Sequence, residues 1–88
     1  MSFKIEKQYD GRETTIRLIG RMQAQHLPEL QLMIEHSEPR IVLDLEELAL
    51  VDVEAVRFLG NCRQNRMLLR HCSPYIRVWI AKEQDGGT

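Results

Sequence analysis

No run in this 88-residue chain approaches the roughly 20 consecutive apolar residues that a membrane-spanning helix needs. The N-terminus, MSFKIEKQYDG, lacks the apolar core of a secretory signal. A cytoplasmic protein is therefore expected. Charge of one sign is also lacking: 12 basic residues stand against 13 acidic ones, for a net charge of −1. That balance suggests neither a nucleic-acid-binding surface nor an acidic solvated tail. Cysteine is scarce. Cys62 and Cys72 form no CxxC pair, so free thiols are expected in a reducing compartment. Glycine is scattered: Gly11, Gly20 and Gly60 are isolated, and neither a P-loop nor a GxGxxG cradle occurs. His26, His36 and His71 show no metal-ligand spacing, and His71 and Cys72, adjacent on an expected strand, would point to opposite faces. No metal site, cofactor or cysteine–histidine nucleophile pair is expected. The length leaves room for one small domain over residues 1–88, with a frayed glycine-containing tail at about 85–88.

What the chain does have is alternating periodicity. Phe3 to Tyr9 and Thr14 to Gly20 alternate apolar and polar residues, the mark of half-buried strands. Asp10-Gly11 between them signals a hairpin turn. From Ala24 to His36 the apolar residues Leu27, Leu30, Met33 and Ile34 recur at helical spacing, with Pro28 confined to the first turn. Glu38-Pro39 should end that helix. Arg40 to Leu45 reads as a buried strand. Asp52 or Val53 to Gln64 reads as a helix burying Val56, Leu59 and Cys62, closed by a left-handed Asn65. Met67 to Cys72 reads as a short strand. Tyr75 to Glu83 is strand-like in composition, but Ser73-Pro74 before it is a helix N-cap followed by a first-turn proline. The order β-β-α-β-α-β-α implies an α/β fold. It would hold a mixed four-stranded sheet with helices mainly on one face and right-handed crossovers.

The stretch Ile41 to Leu59, IVLDLEELALVDVEAVRFL, resembles the core motif of the STAS domain, shared by anti-sigma-factor antagonists and sulfate transporters. That motif reads roughly D-L-x-x-V-x-F-(I/M)-D-S-S-G-L-x-x-L. Asp44, Leu45, Leu48, Leu50, Val51, Asp52, Val56 and Leu59 fit it. LIGRM before the first helix is similar to the family's L-x-G-x-(L/M), and a strand followed by Ser-Pro and a helix is also a family feature. Val53 and Glu54 stand where the family has two serines, the second of which it phosphorylates. The resemblance thus implies a STAS-like fold without serine phosphorylation. It implies a partner surface made of the loop before the second helix, that helix's first two turns and the Gly20-Arg21-Met22 loop. In residues, that surface is Gly20, Arg21, Met22, Val51, Asp52, Val53, Glu54 and Arg57. The implied partner is a regulatory protein such as an anti-sigma factor or a kinase-like regulator.

Each of these residues also has a plainer reading. Asp52 caps a helix, and Glu54 in the first turn favours its dipole by about 0.3–1 kcal/mol. Trp79, Tyr75 and Ile76 would serve the core before they serve a partner. Arg57, Arg63, Arg66, Arg70 and Arg77 form a solvated surface with a basic bias that would steer an acidic partner. The function expected is a non-enzymatic bacterial signalling module resembling an anti-sigma-factor antagonist, with no nucleic-acid or membrane partner. Two other classes stay open: a STAS domain sensing a nucleotide or lipid, and a structural homo-oligomer such as a homodimer. No acid–base or nucleophile constellation marks an enzyme.

Overall fold

The computed structural model describes residues 2–37 and 40–86. The elements run β1 (Phe3–Tyr9), β2 (Thr14–Met22), a 3₁₀ turn (Ala24–His26), α1 (Leu27–Glu35), β3 (Ile41–Asp44), β4 (Leu48–Val51), α2 (Val53–Gln64), β5 (Leu68–Arg70) and α3 (Pro74–Gly86).

The hairpin forms where the sequence predicts it. β1 and β2 pair antiparallel from Phe3↔Gly20 to Tyr9↔Thr14. At the turn, Gly11 takes φ +93°, and Asp10 Oδ1 accepts the amides of Arg12 at 2.8 Å and Glu13 at 2.9 Å. Those amides, Glu13's before Arg12's, hold the Asp10 carboxyl below its ordinary value.

The sheet has five strands rather than the expected four. β2 pairs in parallel with β3 from Thr14↔Ile41 to Arg17↔Asp44. Further along the same edge it pairs with β4 through Gly20↔Leu48, Arg21↔Leu50 and Met22↔Val51. β3 and β4 therefore lie end to end, as one column broken at Leu45 to Glu47. The break is a tight turn in which the Leu48 amide donates to the Leu45 carbonyl at 3.1 Å and the Gly20 amide donates to the Glu47 carbonyl at 3.0 Å. β5 closes the other side of β3, parallel to it, from Val42↔Leu68 to Asp44↔Arg70. The expectation of four strands is right in columns and wrong in elements. LEELALV has the composition of a loop at its start, and only pairing with β2 makes Leu48–Val51 a strand.

Period-two alternation then sorts the faces. Ile16, Leu18, Leu43 and Leu45 pack with Leu30 and Ile34 of α1, Val56, Leu59 and Cys62 of α2, and Ile76 and Ile80 of α3 in one cluster. The helices thus share one face of the sheet. The opposite face carries Glu6, Arg17, Asp44 and Arg70 in one cross-strand row. Arg17 bridges Glu6 at 3.5 Å and also pairs with Glu47. Val42 is the buried apolar exception on that face.

α3 is a helix, as the cap predicts. Ser73 Oγ accepts the Ile76 amide at 3.3 Å and Pro74 occupies the first turn. The cap outweighs the strand-like composition of YIRVWI because Ile76 and Ile80, one turn apart, both reach the core. The helix continues through Gly86, so Asp85 and Gly86, expected in a frayed tail, are helical; 87 and 88 lie outside the described residues. The same holds for the expected helix stop at Glu38-Pro39. α1 is shorter than the predicted helix, because Ala24–His26 winds as a 3₁₀ turn. β5 is likewise shorter than Met67 to Cys72, since Met67 belongs to the C-cap of α2 and His71 takes φ +59°.

The end of α2 corrects one more expectation. Asn65 is not left-handed (φ −90°); Arg66 is, at φ +68°. The Met67 amide donates to the Cys62 carbonyl at 3.0 Å and the Arg66 amide donates to the Arg63 carbonyl at 3.2 Å. That pair of bonds is a Schellman motif with an arginine at the position glycine favours. Relieving the left-handed strain should stabilise the protein. Arg66→Gly is expected to raise the unfolding free energy by about 1 kcal/mol, read as a shift of the urea midpoint at constant slope.

Candidate functional site

The break in the β3/β4 column positions the site. β4 carries a register shift opposite Gly20/Arg21, where Ala49 is the extra residue between Leu48 and Leu50. A bulge of this kind advances the side-chain phase by one. Leu48 is buried and Leu50, which simple alternation would also bury, is 39% exposed. Val53, three residues on at the first position of α2, is 36% exposed. Two apolar side chains are thereby displayed at one end of the sheet.

Gly20 allows the arrangement. Its φ is +97°, and a Cβ there would stand 2.2 Å from the Ser2 carbonyl oxygen. Only glycine lets β1 and β2 close up at this point while Gly20 donates its amide to Glu47.

Asp52 is the hub. Its Oδ1 accepts the Ala55 amide at 2.9 Å, capping α2. Its Oδ2 accepts the Ala24 amide at 2.9 Å, which fixes the start of the 3₁₀ turn after β2. Its own amide donates to the Met22 carbonyl at 3.3 Å. One residue thus ties together the two segments that the sequence singles out: its amide holds Met22, and its carboxylate holds the starts of the 3₁₀ turn and of α2.

Glu54 is exposed in the first turn of α2 and pairs with Arg57 at 3.3 Å. Arg57 Nε also donates to Glu83 of α3 at 3.0 Å. The Glu83 hydrogen bond and charge, then Glu54, hold the Arg57 guanidinium above its ordinary pKa. Glu54 and Arg57 are exposed and Glu83 is half-buried, so the bridge orients side chains more than it stabilises the fold.

Among the predicted site residues, Arg21, Val53, Glu54 and Arg57 are exposed and Gly20, Val51 and Asp52 are half-buried. Met22 departs from the expectation of a surface loop. It ends β2, pairs with Val51, and its side chain is fully buried. Three contributors are absent from the partner surface that the sequence predicts: Leu50, Ala24 and Glu83. Only Leu50 left a signal, as an apolar residue in a stretch with no clean period.

The expectation that His71 lies on a strand also needs correction. His71 is not on a strand, and its Nδ1 lies 3.2 Å from Asp44 Oδ1. Asp44, Glu46 and His71 offer ligand atoms all within 4.8 Å of one another. Burial alone would raise the Asp44 carboxyl; the Glu46 amide, then the His71 hydrogen bond and charge, outweigh it and hold the carboxyl below its ordinary value. Elsewhere, Cys62 and Cys72 are free. Burial pushes the Cys62 thiol up to about 12, so it is inert, and burial also raises Cys72 against the pull of Arg77 and Arg63. A cleft of about 560 Å³ lies between α2 and α3, lined by Arg57, Asn61, Gln64, Glu83 and Gln84 among others. It is not at the strand ends, where a sheet of this class would hold a ligand. No described helix is long and apolar enough to cross a membrane.

No protein-family model matches the chain, and no curated protein matches it in sequence. A solved structure of the anti-sigma factor antagonist SpoIIAA, in its unphosphorylated form, does match in shape. The TM-score is 0.68 at 21% identity, over 92% of this chain and 83% of that one. The fold, a mixed five-stranded sheet with three helices on one face, is STAS-like.

Removing the hub carboxylate should loosen both segments at once. Asp52→Ala is expected to cost about 2 kcal/mol, more than the roughly 1 kcal/mol of a helix cap alone. Hydrogen exchange should show the extra loss at the Ala24 amide as well as at Ala55. A cost confined to the Ala55 amide would reduce Asp52 to a simple cap.

Proposed function

We propose that this chain is a non-enzymatic protein-interaction module that works in the cytoplasm of a bacterium in the manner of an anti-sigma-factor antagonist. The observation that carries the reading is Leu50. A bulge turns it outward opposite Arg21, and Val53, Glu54 and Arg57 are exposed on the first two turns of the helix that follows its strand. An apolar centre with a polar rim is the anatomy of a protein interface. The STAS-like fold supports the reading, since SpoIIAA carries the name of anti-sigma factor antagonist.

The partner would be a regulatory protein such as an anti-sigma factor or a kinase-like regulator. Binding would be competitive: the rigid tip of α2 docks and excludes the partner's other ligand. Glu54 occupies the place of the family's phosphorylated serine and carries one permanent charge, where a phosphoserine carries about two. The module therefore stays in one charge state, outside control by serine phosphorylation.

Two substitutions test this. Protein captured from the native cell is identified, and its affinity measured by titration calorimetry. Leu50→Ser should weaken binding by about 1–2 kcal/mol, the scale of a buried apolar side chain at an interface, with little change in stability. Glu54→Ser should change affinity by at least about 1 kcal/mol in either direction. Its effect on stability should stay within the few tenths to 1 kcal/mol of a helix-dipole contribution. Equal affinities for wild type and Glu54→Ser would leave Glu54 as a helix-tip acid. An unaltered affinity for Leu50→Ser would remove this face as the interface.

A further inference from the structure

We propose that Asp44, Glu46 and His71 form a binding site for a first-row divalent metal ion. The site sits where the β3/β4 column breaks. Asp44 is the last residue of β3, Glu46 lies in the turn of the break, and His71 is the first residue beyond β5. Two segments, the end of β3 with its turn and the residue after β5, thus bring one imidazole and two carboxylates to one point, at the carboxyl ends of adjacent parallel strands. Their ligand atoms all lie within 4.8 Å of one another.

The geometry already approaches that of a coordinated ion. Asp44 Oδ1 and His71 Nδ1 are 3.2 Å apart. Ligands on a tetrahedral zinc, with bonds of about 2.0–2.1 Å, stand roughly 3.3 Å from each other. The pair is hydrogen-bonded here, at a separation that two ligands of a shared ion would also keep. Glu46 is exposed and can close by rotating its side chain. The Glu46 amide holds Asp44 Oδ1 at 3.1 Å, which orients the carboxylate in the break. Exposed Glu46 and His71 leave the remaining coordination position to solvent.

Charge on this face favours the same occupant. Arg17 pairs with Glu6 and Glu47. Arg70 stands in register with Asp44, yet its guanidinium pairs with Glu13 at 3.7 Å. Both arginines thus have carboxylate partners of their own, although the charge of Arg17, opposite Asp44, still helps to hold that carboxyl ionised. Asp44 and Glu46 concentrate two negative charges beside an imidazole that ligates in its neutral form. A divalent cation balances that charge. One imidazole with two carboxylates suits zinc or manganese better than a soft thiophile. Bound there, the ion would clamp β5, the edge strand, to the broken column.

The test titrates the full chain with ZnCl₂ and follows the histidine ring resonances by NMR, with the melting temperature read in parallel. A saturable shift of the His71 ring, one ion per chain, is expected, with the ring of His36 unmoved. Zinc should raise the melting temperature, as any ligand of the folded state alone does. Glu46→Gln and His71→Gln alter exposed side chains, and circular dichroism would confirm that both variants fold. Each should weaken zinc binding by at least about tenfold, the scale of a lost metal-site contact. Cys72→Ser should leave it unchanged. A His71 ring that does not respond to saturating zinc overturns the proposal. So does an affinity that survives either Gln substitution, which would mark the Asp44–His71 contact as an ordinary surface pair. None of these outcomes bears on the partner surface, which is tested through Leu50 and Glu54.

Discussion

Everything in this molecule hangs on β2. Its nine residues pair with β1 on one side and with β3 and then β4 on the other. It has strands on both edges and touches three of the other four, and its inward residues Ile16, Leu18 and Met22 are fully buried. A strand this long imposes a problem on its neighbour. The column beside it must match nine residues of twist, and it does so by breaking at Leu45 to Glu47 and bulging at Ala49. Both irregularities create surface features. The bulge turns Leu50 outward, and the break gathers Asp44, Glu46 and His71. Both features sit where regular pairing fails, and glycine at position 20 lets β1 and β2 close up beside the bulge.

Periodicity made most of the fold legible. Alternation in FKIEKQY and TTIRLIG, the spacing of Leu27, Leu30 and Ile34, and the Ser73-Pro74 cap each describe a local choice that the tertiary structure confirms. What stayed hidden was non-local. Leu48–Val51 becomes a strand only by hydrogen bonding to a segment some thirty residues earlier. His71 reaches Asp44 across 27 residues of sequence, so no spacing rule could have paired them. The misplacement of the left-handed residue has a different origin. Asparagine is the better residue for that conformation, yet Asn65 donates its side chain to the Asn61 carbonyl at 2.9 Å and leaves Arg66 to turn the corner.

The candidate site was half legible for the same reason. The resemblance to the STAS motif marks both segments that Asp52 joins, but not the joint. That Asp52 reaches back to the Ala24 amide is a matter of distance in space. The helix-cap reading and the interface reading of Asp52 therefore stop being rivals. A cap that also pins the neighbouring segment makes the tip of α2 rigid, and rigidity lowers the entropy a docking surface loses on binding.

Glu54 differs in kind from Asp52. Asp52 binds backbone amides, which no other residue can supply to it. Glu54 binds Arg57, and Arg57 has a second carboxylate in Glu83. If an incoming partner presents its own cation to Glu54, Arg57 loses one contact and keeps the other. If the partner presents an anion, Arg57 is still anchored on α3 and can receive it. The exposed pair thus rearranges at low cost, because solvent screening makes each contact weak before binding. A charge held in this way is poised to act on a partner without being needed by the fold. The domain therefore separates a rigid joint at Asp52 from an adaptable charge at Glu54, two residues further along the chain.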